Sequence, residues 1–355
     1  MKRYIPFALG ICLIIFGSKA VKGQTTTNPD VSFIADTRLV DHHNAPDIGA
    51  NKPQFDFHEL ELAAAQYLNP YARADAIISI SGDGELEIEE AYATLLRGLP
   101  WSLQVRAGKY FLDFGKINTQ HPHQWSWIER PLANSRFLGE DGLKGLGVNV
   151  TKLIPVGSNA LTISGNLLKG NFFLPAPDTV GAPFAGSGRV SLFAMLTEHS
   201  EIDMGLSGLY AEHDFINKRW TTMGNVDVKY KWKPNIYRSL VIVAEGTLSS
   251  RKIGIDTLIT SMTKTVSSTG AFASLDYQFH RRFDTGAFID YAQSPIDKND
   301  HLSAFGIFGG FALAEETYRV GLLLRQDQGT ALSKSFQTFE IQLLWSLGPH
   351  KPHQF

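Results

Sequence analysis

Near its carboxyl end the chain reads TFEIQLLWSL over residues 338–347. The apolar side chains take alternate positions, at Phe339, Ile341, Leu343, Trp345 and Leu347. The positions between them are mostly polar. A two-residue period predicts a β-strand with one apolar and one polar face. About ten residues are enough for a tilted strand to cross a bilayer.

The same alternation recurs along the chain, most clearly at 161–167, 225–232 and 270–279. Turn residues separate the alternating segments, and convincing amphipathic helical periods are not found. The sequence therefore predicts an all-β chain.

The connections between these segments are of two kinds. Short ones carry hairpin residues such as Asn69-Pro70 and Gly157-Ser158. Longer ones alternate with them, at about 40–54, 112–141, 170–188, 213–219, 251–267, 294–299 and 327–333. This alternation predicts about 16 strands in a closed antiparallel transmembrane β-barrel, with short periplasmic turns and longer outer loops.

A soluble sandwich also has alternating strands, but two features of this sequence favour a membrane barrel. Aromatic residues cluster beside the short turns, where a membrane interface favours them: Tyr67, Tyr71, Trp101, Tyr230, Trp232, Tyr237, Tyr277, Phe279 and Phe283. The charged residues lie on the other stripe, which a closed barrel turns toward its lumen.

Composition excludes several classes of protein. The chain has 355 residues, 43% hydrophobic and 19% charged, with a formal net charge of −2, so it carries no basic excess for a nucleic-acid partner. Its single cysteine, Cys12, falls in an apolar amino-terminal stretch that predicts a cleaved signal peptide at 1–20. We expect a polar leader at 21–30 and one outer-membrane barrel over 31–355, including an inward-folding loop at 112–141.

Several motifs after Phe55 carry a family resemblance. They read FHELEL at 57–62, YLNPYARAD at 67–75, EEAY at 89–92, LQVRAGK at 103–109 and FG at 114–115. A second set reads HPHQW at 121–125, RP at 130–131, GEDGL at 139–143 and SLGPH at 346–350, with terminal Phe355. The first set resembles Gram-negative outer-membrane β-barrel proteins related to the phosphate-selective porin type. The second resembles a subgroup sometimes named zinc-regulated TonB-dependent outer membrane receptor.

The resemblance implies a location in the outer membrane of a Gram-negative bacterium, in contact with its lipid. It implies a porin-like channel for passive diffusion of small hydrophilic solutes or ions, a homo-oligomer as one assembly, and recognition of the carboxyl-terminal strand by the barrel-assembly machinery. A TonB-dependent receptor has about 22 strands and a plug domain. This chain has room for neither, so we do not expect energised transport.

In general porins the loop after the fifth strand narrows the pore, and the resemblance implies the same for 112–141. The candidate pore-lining and constriction residues are Arg73, Asp75, Arg106, Asp113, Lys116, Glu129, Arg130 and Arg136. A packed lid, held by Trp125 and Trp127 with its charges merely paired, is the alternative.

The segment His121-Pro122-His123 is a candidate metal site, because two imidazoles one residue apart can reach the same zinc ion. Glu129 or Asp141 could complete the ligand set. The alternative is that Pro122 only shapes the loop and that both histidines are hydrogen-bonded to lumen carboxylates. Apart from this candidate zinc, no cofactor is expected.

Glu89 and Glu90 are adjacent in a strand, where alternation would send one carboxylate into lipid. We expect a β-bulge that turns both inward.

Nucleophile-elbow and phosphate-loop patterns are not found, so no enzyme is expected. Two alternatives to a porin-like channel stay open: a receptor or uptake barrel linked to zinc or another metal, and a structural or adhesive barrel with binding outer loops.

Overall fold

The computed structural model describes residues 29–45, 51–169, 185–214, 217–256, 261–314, 317–330, 332 and 334–348. The expected signal peptide at 1–20 and most of the leader at 21–30 lie outside the described residues.

Sixteen antiparallel strands form one closed barrel, as the sequence predicts. They are β1 (Asp30–His43), β2 (Gln54–Asn69), β3 (Ala72–Ser81), β4 (Leu86–Leu95), β5 (Leu103–Phe111), β6 (Lys144–Val156), β7 (Asn159–Lys169), β8 (Ala185–Thr197), β9 (Ser200–Asp214), β10 (Arg219–Asn235), β11 (Arg238–Asp256), β12 (Ser261–His280), β13 (Phe283–Gln293), β14 (His301–Ala314), β15 (Tyr318–Gly329) and β16 (Phe336–Leu347). Each strand pairs with its neighbours in sequence, and β1 closes the ring by pairing with β16, with Arg38 opposite Gln342.

The two faces of the barrel differ in polarity in the way the alternation predicts. On β10, Asn225 and Asp227 are buried inside, while Val226 between them is 60% exposed on the outside. Leu206 and Leu248, on the flanking strands, are also exposed. An apolar outer surface around a polar interior reverses the arrangement of a soluble protein and suits contact with lipid.

Aromatic side chains surround the end of the barrel that carries the short turns. Those exposed there are Tyr67, Tyr71, Trp101, Trp232, Tyr237, Phe279 and Phe283. Their rings lie where an interface between lipid and water would be, in agreement with the prediction.

The opposite end carries the longer connections, of which 112–143 is the longest described. The expected long connection at 251–267 is wrong: β11 continues to Asp256 and β12 begins at Ser261. The alternation of apolar and polar residues weakens in this stretch because a hairpin that extends beyond the lipid needs no apolar face. The backbone hydrogen bonds between β11 and β12 nevertheless continue through it.

The predicted bulge on β4 is confirmed. Ile77 on β3 pairs with Glu90, and Ile78 pairs with Ile88, so Glu89 is an extra residue. Glu89 and Glu90 are both buried, at 6% and 7% exposure. Two adjacent carboxylates are thereby kept out of lipid.

The connection at 112–143 contains α1 (Leu132–Leu138), which the sequence did not predict. Seven residues make fewer than two full turns, too few to show a helical period. Among the described residues, no helix is long and apolar enough to cross a membrane.

Candidate functional site

The connection between β5 and β6, residues 112–143, crosses the interior of the barrel, and we call it the lumen loop. Hydrogen bonds or ion pairs join it to the inner faces of β1, β2, β4, β7, β8, β9, β11, β12 and β13. These strands occupy most of the circumference. The loop is therefore held from many sides and fixed in position.

Glu245 on β11 is the central attachment point of the first half of the lumen loop. One carboxylate oxygen accepts the backbone N–H groups of Lys116 and Ile117, at 2.9 and 3.1 Å. The other accepts the side-chain amides of Asn134 and Asn225, both at 3.1 Å. One buried carboxylate thus joins two parts of the loop to the wall.

Asp113 and Lys116 also contact the wall beside Glu245. Asp113 accepts a hydrogen bond from Ser164 at 2.6 Å and lies 3.3 Å from the Nε atom of Arg189. Lys116 pairs with Asp203. Both predicted constriction residues lie in the lumen, and both carry charges that wall residues partly neutralise.

The second half of the lumen loop attaches to β12, β13 and the connection that follows β13. Ser126 donates to Asp276, and the backbone N–H of Leu132 donates to Asp290, both at 2.6 Å. Arg136, on α1, donates to the backbone oxygen of Ala292 at 3.2 Å and contacts Asp300. Arg136 therefore lies near the end of the barrel with the longer connections.

Glu129 lies against Arg38 on β1, with 2.9 Å between Oε1 and Nη1. Arg38 also pairs with Asp36 at 2.7 Å and with Glu340 on β16 at 3.2 Å. Arg38 is 4% exposed, so three carboxylates surround one buried cation where the first and last strands meet.

An apolar cluster fills the space between the lumen loop and the β12–β13 wall. Trp125 and Trp127 stack with their ring centroids 6.3 Å apart, and Trp127 lies 5.0 Å from the ring of Phe272. Arg130 lies over the ring of Trp125, at 4.9 Å. Burial lowers the pKa of Arg130 to about 10, against the opposing influence of Asp141 and other acidic groups. This part of the lumen is packed like a protein core.

A polar cavity lies between part of the lumen loop and the wall formed by β3 to β6. Its lining residues are Ile77, Glu90, Tyr92, Thr94, Gln104, Arg106, Phe111, Asp113, Thr119, His121, Gln124, Asn149 and Thr151. The guanidinium carbon of Arg106 lies 4.5 Å from the ring centroid of Tyr92 and 5.7 Å from that of Tyr110. The aromatic faces hold a positive charge in the same cavity as Glu90 and Asp113.

Arg73 and Asp75 lie on β3, on the same inner face as Ile77. Their side chains pair at 3.1 Å, and Arg73 lies over the ring of Tyr67 near the short turns. This pair lies on the wall toward the end of the barrel with the short turns.

His121 and His123 meet carboxylates of the wall. The Nδ1 atom of His121 lies 3.1 Å from Oε2 of Glu61 on β2 and 3.1 Å from Oε2 of Glu89 on β4. The Nδ1 atom of His123 lies 3.5 Å from the same Glu61 oxygen. Burial alone would lower the pKa of His121, but the surrounding carboxylates, led by Glu61, raise it well above its usual value.

Glu129 and Asp141, the carboxylates expected beside these histidines, lie elsewhere. Glu129 pairs with Arg38, and Asp141 lines a separate cavity with Arg130 and Glu140. The contact of Glu61 with the histidines was not expected from the sequence. The sequence pattern could have indicated this contact, because carboxylates on an inward-facing stripe can face any loop that enters the lumen.

Comparison with known proteins gives the fold a precedent. No family model matches the chain. A protein of Aquifex aeolicus (strain VF5), described as uncharacterized, is 29% identical over an alignment of 393 residues. The alignment covers 92% of this chain and 80% of that protein.

Solved structures of outer-membrane porins have the same fold at about 10% sequence identity. The anion-selective porin of Comamonas acidovorans superimposes with a TM-score of 0.62, covering 90% of this chain and 99% of that one. OprB of Pseudomonas putida gives 0.62, covering 90% and 94%, and the channel DcaP of Acinetobacter baumannii gives 0.56, covering 91% and 96%. The chain has the porin barrel fold.

Proposed function

We propose that the protein is a porin-like channel of the outer membrane, through which small hydrophilic solutes or ions diffuse passively. The observation that carries this proposal is the arrangement of the lumen. The lumen loop is attached to much of the wall, while a polar cavity lined by charged residues lies between part of the loop and the inner faces of β3 to β6. A constriction of this kind selects solutes by size and charge.

The barrel itself supports placement in a membrane. Ring closure between β1 and β16 pairs the backbone groups of the edge strands, which hydrocarbon requires. The exposed outer face is apolar along the strands, and the aromatic band lies at one end. The similarity to outer-membrane porins supports the same placement.

Charge distribution favours a constriction over an inert lid. The apolar packing of the lumen loop is concentrated on the side of Phe272 and β12. On the side facing β5, Asp113 of the loop and Arg106 and Glu90 of the wall line a polar cavity. A lid that only sealed the barrel would gain more from apolar contacts on both sides.

Single-channel recording in a planar bilayer tests the function. Protein that shows heat-modifiable gel migration, and is therefore folded, should give discrete conductance steps. Shortening the lumen loop between Lys116 and Leu138 should enlarge those steps. Folded protein without conductance in either form would overturn the channel and favour a barrel whose outer loops bind a partner.

A further inference from the structure

We propose that Glu61, Glu89, His121 and His123 form a binding site for a divalent transition-metal ion of the zinc type, inside the lumen. The ligand atoms would be one carboxylate oxygen from each glutamate and Nδ1 from each histidine. Glu59 lies close enough to Glu61 and His123 to provide a further oxygen.

The spacing of the ligand atoms fits a metal centre. Zinc binds imidazole nitrogen and carboxylate oxygen at about 2.0–2.2 Å, so two ligands of a tetrahedral ion lie about 3.3 Å apart. Nδ1 of His121 is 3.1 Å from the Oε2 atoms of Glu61 and Glu89, and Nδ1 of His123 is 3.5 Å from Oε2 of Glu61. These separations match three of the six edges of such a tetrahedron. The ligand atoms of Glu61, Glu89 and His121 all lie within 4.8 Å of one another, and those of Glu59, Glu61 and His123 form a second such group that shares Glu61.

Burial and orphaned atoms point to a ligand between these groups. Glu61, Glu89 and His121 are 3%, 6% and 6% exposed. Nδ1 of His121 and Oε2 of both glutamates face one another at 3.1 Å, but their geometry is not that of a good hydrogen bond. Buried polar atoms normally have well-formed hydrogen bonds, so three buried atoms that converge in this way fit a shared ion between them.

The surrounding residues hold the ligands in orientation. Lys144 donates to the other oxygen of Glu89, at 3.2 Å, which leaves Oε2 directed at His121. Nε2 of His121 faces a carboxylate oxygen of Glu90 at 3.6 Å. Metal-binding histidines commonly direct their second nitrogen toward a carboxylate, and this partner raises the basicity of the ligand.

The fold brings the four ligands together by separate means. Glu61 is on the inner face of β2, and the bulge on β4 turns Glu89 inward beside it. Pro122 begins a 3-10 turn, Pro122–Gln124. In this turn the backbone N–H of Gln124 donates to the carbonyl of His121, and that of Trp125 donates to the carbonyl of Pro122. That turn places the two imidazoles nearly parallel, with centroids 5.7 Å apart.

An ion could reach this site from the lumen. His121 lines the cavity between the lumen loop and β3 to β6, whereas Glu89 lines the cavity that contains Asp141. His123 lines a third cavity, near Arg281 and Arg282 of a short turn. Three of the four ligands thus line cavities, each a different one, and two neutral imidazoles with two carboxylates balance a divalent charge.

Titration of the folded, detergent-solubilised protein with Zn²⁺ by calorimetry tests the site, with Co²⁺ absorbance reporting its coordination. We expect one saturable site per chain and a visible Co²⁺ spectrum typical of tetrahedral geometry. His121→Gln should weaken Zn²⁺ affinity by more than about 100-fold, since loss of an outer partner alone costs about 10–100-fold. His301→Gln, which changes a half-buried histidine at the start of β14, outside the cluster, should leave affinity unchanged.

Glu61→Gln keeps the size of the side chain and serves as a second variant should His121→Gln fail to fold. The absence of saturable binding would overturn the proposal, as would equal affinity in the parent and in a folded ligand variant. Those results would mean that the cluster holds a proton in place of a metal.

A consequence for conduction rests on the proposed channel. A metal bound at this site should reduce the single-channel conductance of the parent. The conductance of His121→Gln should not change when the metal is added. If folded protein conducts under neither condition, the proposed function fails, while the Zn²⁺ titration still decides the site.

Discussion

Gly115 lies directly against the carboxylate of Glu245: a Cβ atom at this position would stand 2.5 Å from Oε1. The backbone N–H of the next residue, Lys116, donates to the same carboxylate at 2.9 Å. The close approach of loop and wall thus depends on the missing side chain of one residue. Gly115 also has φ +69°, a conformation that glycine adopts without strain.

Gly115→Ala should detach the first half of the lumen loop from β11. The added methyl group would displace the Glu245 carboxylate from its hydrogen bonds with the loop, and positive φ costs a further 1–2 kcal/mol, roughly. We expect larger and noisier conductance steps and a lower temperature of the heat-modifiable gel shift. Gly157→Ala is the matched control, because Gly157 has φ +61° with nothing within 4 Å of its added Cβ. Equal effects of the two substitutions would show that backbone strain alone is responsible.

Trp127→Ala should loosen the second half of the lumen loop while leaving the barrel closed. Trp127 packs between Trp125 and Phe272, and removal of a buried tryptophan costs about 3–5 kcal/mol. Limited proteolysis should cut the loop in the variant and spare it in the parent. Trp101→Ala, which removes a ring that is 78% exposed at a short turn, should not sensitise the loop. Resistance of Trp127→Ala to protease would mean that the polar contacts suffice.

Arg106→Gln should shift ion selectivity toward cations severalfold, because it removes the positive charge from the cavity that also contains Glu90 and Asp113. Asp113→Asn should shift selectivity the other way. Reversal potentials in a salt gradient measure both. Arg97→Gln removes the same charge from an exposed position in a turn and should change little. Unchanged selectivity in both cavity variants would place the constriction elsewhere.

Zinc should stabilise the folded barrel and EDTA should abolish that gain. A ligand that binds the folded state alone adds about 2.7 kcal/mol at 100 times its dissociation constant. The gel-shift temperature of the parent should therefore rise with Zn²⁺, and that of Glu61→Gln should not. A similar rise in both proteins would indicate nonspecific binding to surface carboxylates.

Strand number and the bulge at Glu89 could be predicted because both follow from a local, two-residue period. Alternation identifies a strand without knowledge of its neighbours, and an adjacent carboxylate pair breaks it visibly. Aromatic residues beside short turns could be identified in the same way. These features depend on a few consecutive side chains and on the contrast between lipid and water.

The partners of the lumen loop could not be predicted, because they come from distant parts of the chain. Lys116 and Glu245 are 129 positions apart, and Ser126 and Asp276 are 150 apart. The sequence favours Glu129 and Asp141 as partners for His121 because they are near it in sequence. The loop instead turns His121 toward Glu61, because the path of the backbone through the lumen brings His121 to the inner face of β2.

The contact between Glu129 and Arg38 has a consequence for the order of assembly. Arg38 belongs to the first strand and pairs with Glu340 of the last, so this charged group is complete only after the sheet has become a ring. The lumen loop precedes β16 by about 190 residues, and its contacts with β2 to β13 do not require the last strand. The contact of Glu129 with the completed Arg38–Glu340 pair can form only after the first and last strands have paired, so this part of the loop is fixed last.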